Sequence, residues 1–199
     1  MRDRGRFENL LERIHRGESP AEPEWALYRD RKAILITDLS GFTRRVREAG
    51  NEATLGILHA MRKVALPLLK SRGGILVKYQ ADDLFAAFAG PEEALHCALD
   101  LMEAVGGPLP PLREPLDLCM GIGYGDVLWW ADDDLYGLEV NLASKLGEDT
   151  AGPREILLTR AAAEVIQRRV PDVFLSERPP IEVGGTLYPY YRFESGLSR

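Results

Sequence analysis

Two aspartates stand at the ends of short apolar segments that have the composition of buried β-strands. Asp38 follows the apolar run 33–37, and Asp82 lies between the apolar runs 75–80 and 84–88. An unpaired carboxylate at a buried strand is costly, because its charge is removed from water. A divalent cation would neutralise both groups, and Mg²⁺ prefers one or two carboxylates together with phosphate oxygens. The pair therefore predicts a metal site for phosphoryl-transfer chemistry on a nucleotide.

The composition is that of one globular domain with a small appendage. The chain has 199 residues and a net charge of −6, which argues against a nucleic-acid partner but not against a metal-bound anionic ligand. Cys97 and Cys119 lie in apolar runs without metal-ligand spacing, so we expect reduced core cysteines. There is no signal peptide and no apolar run of about 18 residues, which predicts a cytoplasmic protein with no membrane partner.

Apolar spacing and turn residues predict alternating helices and strands. Residues 1–28 are predicted as an N-terminal helix (6–16) and a linker, and they could serve as a dimerisation helix or as a lid. Strands are predicted at 33–37, 75–80, 84–88, 116–122, 127–130 and 156–159, with one or two more near the C-terminus. Helices are predicted at 42–50, 52–70, 91–105, 138–146 and 160–169. The segments 116–122 and 127–130 are predicted to form a hairpin around the sequence GYGD.

This order of elements predicts an α+β fold. It contains the βαββαβ pattern of ferredoxin-like folds, with additional strands and helices around that core.

The turn after Asp38 is the first candidate for ligand binding. Gly41 opens the next helix, whose first backbone N–H groups would face an anion bound near Asp38. The same residues would also serve as an ordinary strand-to-helix cap, and the turn alone does not distinguish the two interpretations.

Two further groups of polar residues are candidates. Lys78 stands four residues before Asp82, which is also typical of a polar hairpin tip. Asn141 and Lys145 stand four residues apart in a predicted helix and would share one face, which suits a polyanion but is also common on a solvated helix.

Three motifs together make the chain resemble the class III nucleotidyl cyclases, the family of adenylate and guanylate cyclase catalytic domains. The resemblance runs from about residue 33 to residue 159. The family's Asp-x-x-Gly-Phe-Thr turn is matched by Asp38, Gly41, Phe42 and Thr43. Its Lys-x-x-Gly-Asp hairpin is matched by Lys78 and Asp82, with Ala81 at the glycine position. Its Asp-x-x-Gly-x-x-Val-Asn-x-Ala-x-Arg segment is matched by Asp134, Gly137, Val140, Asn141 and Ala143, with Lys145 at the arginine position.

The resemblance implies a nucleotidyl cyclase fold over residues 29–199 and a two-metal reaction that converts ATP to 3′,5′-cyclic AMP and pyrophosphate. Asp38 and Asp82 would hold two Mg²⁺ or Mn²⁺ ions, and the backbone at Gly41, Phe42 and Thr43 would bind substrate.

The resemblance also implies roles for the other matched residues. Lys78 and Asp134 would read the purine, since a lysine donor and an aspartate acceptor suit adenine N1 and its 6-amino group. Asn141 would orient the ribose, and Lys145 would stabilise charge on the phosphate. In this family the metal site and the purine site come from different protomers, which implies a homodimer with two composite sites.

Three departures from the family pattern, one of them Ala81 at the glycine position, leave two functions open. Lys145 lacks the planar fork of arginine, and the segment 181–193 has no lysine or arginine before Arg192 for the triphosphate. The chain is therefore expected to be a slow adenylate cyclase. The alternative is a weak or inactive cyclase-homology module that binds ATP, metal or a partner in signalling.

Overall fold

A computed structural model describes residues 3–107, 115–130 and 134–196. The helices within these ranges are α1 (Arg4–His15), α2 (Glu22–Trp25), α3 (Phe42–Ala49), α4 (Asn51–Ser71), α5 (Pro91–Val105), α6 (Leu138–Ser144) and α7 (Arg160–Arg169). The strands are β1 (Arg29–Leu39), β2 (Ile75–Gln80), β3 (Asp83–Phe88), β4 (Leu118–Trp130), β5 (Asp134–Tyr136), β6 (Ile156–Thr159), β7 (Phe174–Val183) and β8 (Thr186–Ser195). A π-helical turn, Lys145–Thr150, follows α6 directly.

The sheet confirms the predicted ferredoxin-like core. Its strands lie in the order β2-β3-β1-β4-β6-β8-β7, and β5 pairs with β4 outside this path. The first four strands, joined by α3, α4 and α5, reproduce the βαββαβ pattern with β1 between β3 and β4. Both late strands are present, as β7 and β8.

The sheet is covered on both faces. Cys97 and Cys119 are free and buried, as expected. One large apolar cluster joins the sheet to α4, α5 and α7. A second, smaller cluster on other residues of β1, β3 and β4 includes α6 and β5. No helix in the described part of the chain combines the length and apolar character needed to cross a bilayer.

The predicted hairpin around GYGD is wrong, because β4 runs through this sequence without turning. The glycines of β4 allow close packing of a helix instead. A Cβ at Gly121 would lie 2.1 Å from the Ala143 carbonyl oxygen, and a Cβ at Gly123 would lie 2.4 Å from that of Glu139. The glycines therefore let α6 lie directly on β4, which fixes the position of Asn141.

The predicted helix 138–146 is present, and it changes from an α-helix to the π-helical turn after Ser144. The Ala151 amide donates to the Leu146 carbonyl at 2.8 Å, five residues back, which is the hydrogen bond of a π-type turn. Gly147 allows this turn to approach the sheet, since a Cβ there would lie 2.9 Å from the Gly121 amide nitrogen.

Candidate active site

Asp38 lies at the carboxyl end of the central strand β1. The preceding residues, 33–37, are fully buried, whereas Asp38 is only partly buried. It stands opposite Cys119 in β4. Strand β1 has a neighbouring strand on each side, so it holds this carboxylate in a fixed position at the end of the strand.

The turn between β2 and β3 places the second carboxylate. Ala81 has a φ of +50°, the left-handed conformation that favours glycine. Arg62 from α4 supports the turn, because its guanidinium donates to the Ala81 carbonyl at 3.2 Å and lies 4.4 Å from the centre of the Tyr79 ring. Asp82 follows immediately and is 9% exposed.

Asp83 joins this site, although the sequence analysis did not select it. Carboxylate oxygens of Asp38, Asp82 and Asp83 all lie within 4.8 Å of one another. The sequence does show two adjacent aspartates at the start of a predicted strand, but the family motif covers only the first of them, Asp82. Within residues 3–107, 115–130 and 134–196, no lysine or arginine forms an ion pair with any of the three.

We call these three carboxylates the aspartate cluster. Burial and crowding raise the pKa of two of them. Burial, followed by the charge of Asp82, raises the pKa of Asp38 to about 6. Burial, followed by the charges of Glu148 and Asp82, raises the pKa of Asp83 to about 7. Carboxylates held together without a counter-charge favour a divalent cation, and oxygen donors suit Mg²⁺ and Mn²⁺. The residues present therefore fit a metal site.

The first turn of α3 lies next to Asp38 in the chain. Gly41 precedes this helix with a φ of +73°, and no side chain caps the helix start. The interpretation as a side-chain cap is therefore wrong. The first backbone N–H groups of a helix have no acceptor within it, so Phe42 and Thr43 have donors for an anion.

Lys78 and Asp134 are brought together although 56 positions separate them in the chain. The Lys78 ammonium donates to Asp134 Oδ2 at 2.8 Å and lies 4.8 Å from the centre of the Phe85 ring. The other carboxylate oxygen of Asp134 accepts from the Leu135 amide. The two side chains are 28% and 29% exposed, so solvent and a ligand can reach them.

Asn141 and Lys145 are one helical turn apart, since the Lys145 amide donates to the Asn141 carbonyl. The Lys145 ammonium pairs with Asp149 at 2.9 Å. In the described part of this single chain, no hydrogen bond or ion pair joins Asn141 or Lys145 to the aspartate cluster or to the Lys78–Asp134 pair.

Comparisons with known proteins identify the fold and its family. No family model matches the chain. An adenylate cyclase from Streptomyces coelicolor is 33% identical over 143 residues, which are 70% of this chain and 35% of that protein. The structure of an adenylate/guanylate cyclase/hydrolase from Silicibacter pomeroyi matches with a TM-score of 0.70 and 25% identity, covering 83% of this chain and 96% of that one. The chain carries a class III cyclase homology domain.

A second solved structure supports the cyclase fold. The adenylyl cyclase CyaB from P. aeruginosa has a TM-score of 0.70 at 22% identity, covering 85% of this chain and 97% of that one. The chain spans less than half the length of the curated relatives it matches. The similarity to those proteins therefore concerns the cyclase homology domain and not their full length.

Asp83 gives a test of the crowding in this cyclase homology domain. A carboxyl group whose pKa is raised in the folded state makes the protein less stable as the pH rises. For Asp83 this loss of stability runs from the ordinary pKa of 3.8 up to the raised pKa of about 7. We expect Asp83→Asn to raise the Tm of the metal-free protein at pH 8 by about 2–4 °C, or about 1 kcal/mol at this chain length. The gain should be smaller at pH 5.

Thermal unfolding in EDTA measures this effect. Glu164→Gln, which removes an exposed carboxylate from a surface pair with Arg160, is the control and should change the Tm little at either pH. An equal gain from Asp83→Asn at both pH values, or no gain at pH 8, would contradict the crowding.

Proposed function

We propose that this chain converts ATP to 3′,5′-cyclic AMP and pyrophosphate at a site composed of residues from two copies of the chain. The observation that carries the proposal is the aspartate cluster. Three carboxylates lie within 4.8 Å of one another at the site that matches the family's metal motifs, and none has a cationic partner among the residues that the structure describes.

Asp38 and Asp82 would hold two Mg²⁺ or Mn²⁺ ions, which supply Lewis acidity at the ribose 3′-hydroxyl and the α-phosphate. The α3 start, at Gly41, Phe42 and Thr43, would donate backbone hydrogen bonds to phosphate oxygens. The chain has a net charge of −6, so the triphosphate depends on metal for most of its counter-charge.

Lys78 and Asp134 would select adenine. The Lys78 ammonium donates to N1 and the Asp134 carboxylate accepts from the 6-amino group, whereas guanine presents the opposite polarity at both atoms. In this structure the two side chains satisfy each other at 2.8 Å. The purine would therefore replace that contact with one hydrogen bond to each partner.

Asn141 and Lys145 would act on the site of a second copy. Asn141 would orient the ribose, and Lys145 would stabilise the charge that develops on the phosphate as the pyrophosphate leaves. Lys145 is a point charge already paired with Asp149 at 2.9 Å, which favours a slow reaction.

Exposed apolar side chains support the homodimer. Ile75 in β2 is 52% exposed, Tyr136 in β5 is 49% exposed, and Leu138 at the start of α6 is 51% exposed. All three lie on the elements that carry the Lys78–Asp134 pair and Asn141. A second copy would cover these side chains while completing the site.

Mixing two inactive variants tests the composite site. Asp38→Ala and Asn141→Ala should each be nearly inactive alone. Co-expressed with different tags and purified through both, the mixed dimers should recover about half of the wild-type rate, because each mixed dimer has one intact site of two. Cyclic AMP formation by the doubly purified dimers is the measurement.

The matched control pairs Asp38→Ala with Asp82→Ala. Both changes damage the metal site, so a mixed dimer has no intact site and should recover nothing. Recovery in this control, or none for Asp38→Ala with Asn141→Ala in confirmed mixed dimers, would overturn the composite arrangement.

A further inference from the structure

The N-terminal helix α1 packs on the end of the sheet through aromatic side chains. Phe7 is 3% exposed, and its ring centre lies 4.6 Å from that of Tyr28 and 5.3 Å from that of Trp130. Tyr28 is 1% exposed, and its carbonyl accepts from the Trp129 amide at 2.9 Å. Helix α1 is therefore fixed to the end of β4.

Trp130 connects this packing directly to Asp134. The two residues are opposite each other in the antiparallel pair of β4 and β5, so their side chains lie on the same side of that pair. Tyr136, two residues along β5, has its ring centre 5.8 Å from that of Trp130. Phe7, Trp130 and Tyr136 thus form a continuous aromatic series from α1 to β5.

The other side of β5 is held separately. Leu135 is 5% exposed and belongs to the apolar cluster that contains Trp129 and Phe85. Since β5 has only three residues, its pairing with β4 gives few backbone hydrogen bonds. Packing on both sides is therefore needed to keep Asp134 within 2.8 Å of Lys78.

We propose that Phe7 is a positioning residue for Asp134, acting through Trp130 and β5. This inference rests on the purine-reading part of the proposed function. Loss of the Phe7 ring frees Trp130 and loosens β5, so Asp134 moves away from the position that pairs with Lys78 and with adenine. The aspartate cluster lies at the opposite end of β1 from this packing, so metal binding does not depend on Phe7.

Hydrogen exchange and nucleotide selectivity test this role in the full chain. In Phe7→Ala we expect amide exchange in residues 134–136 to become about tenfold faster, while the β1 segment 33–37 stays protected. The preference for ATP over GTP should fall from about tenfold to about twofold, through a higher KM for ATP. Mn²⁺ affinity without nucleotide should change less than about twofold. Phe7→Leu, which keeps most of the volume, should restore most of the protection.

Ile166→Ala is the control for simple loss of stability. Ile166 is fully buried in α7, in the large apolar cluster away from β5. It should lower the Tm at least as much as Phe7→Ala and leave both the exchange of 134–136 and the selectivity unchanged. Unchanged β5 exchange in Phe7→Ala, or equal acceleration in Ile166→Ala, would overturn the positioning role. Wild-type protein without ATP preference would overturn the purine assignment instead, while β5 exchange still decides the role of Phe7.

Discussion

Replacing Asp38 or Asp82 with alanine is expected to reduce cyclic AMP formation by about a thousandfold or more. The two carboxylates lie within 4.8 Å of each other, together with Asp83. Under the proposed function, losing either carboxylate would remove metal that would stabilise the attacking oxygen and the α-phosphate, a loss of about 4 kcal/mol in the transition state. Initial rates with saturating Mn²⁺ and ATP give the measurement.

The loss must come from chemistry rather than from unfolding. Removing one of three crowded carboxylates relieves repulsion, so both variants should unfold in EDTA at a Tm equal to or above that of the wild type. Glu164→Gln should keep full activity, because Glu164 lies on the exposed face of α7. An Asp38→Ala protein that is folded and forms cyclic AMP at the wild-type rate would remove the metal role of this residue.

Replacing Lys78 or Asp134 with alanine is expected to lower the preference for ATP over GTP by a factor of about ten or more. A mispaired donor or acceptor in a partly buried site costs about 1–3 kcal/mol, and each variant deletes one of the two groups that we propose to read the base. Competition of GTP against labelled ATP for the metal-loaded protein measures the ratio.

The double variant shows whether the two residues act as a pair. Because their side chains are joined at 2.8 Å, the effects of the single variants should not add, and the double variant should lose little more than either one. Tyr188→Phe, in β8, removes a polar group from a different part of the chain and should leave the ratio unchanged. Equal competition by GTP in the wild-type protein would contradict the assignment.

The positions of Asp38 and Asp82 were predictable because strand ends and turns leave local marks. A short apolar run followed by a carboxylate and glycine predicts a strand and a turn, and both are present. The same reasoning was wrong for GYGD, where glycine allows α6 to approach β4 closely rather than forming a turn. One sequence cannot distinguish these two uses of glycine, since the difference lies in what packs above it.

Other features depend on contacts between distant segments. Nothing local in the sequence joins Lys78 to Asp134, because β5 must fold next to β2 before they meet. The aromatic contact between Phe7 and Trp130 likewise comes from the folded chain. The family motifs indicated the first pair, whereas the packing of α1 against β4 had no motif to indicate it.

Cyclic AMP formation from ATP by the purified chain tests the central claim most directly. We expect 3′,5′-cyclic AMP and pyrophosphate in equal amounts with Mn²⁺ present, and neither product in EDTA. Calorimetry of ATP binding should be run on the same sample, with and without metal. Metal-dependent ATP binding without any cyclic AMP, at protein concentrations where dimers are present, would contradict the enzyme and favour an inactive cyclase-homology module.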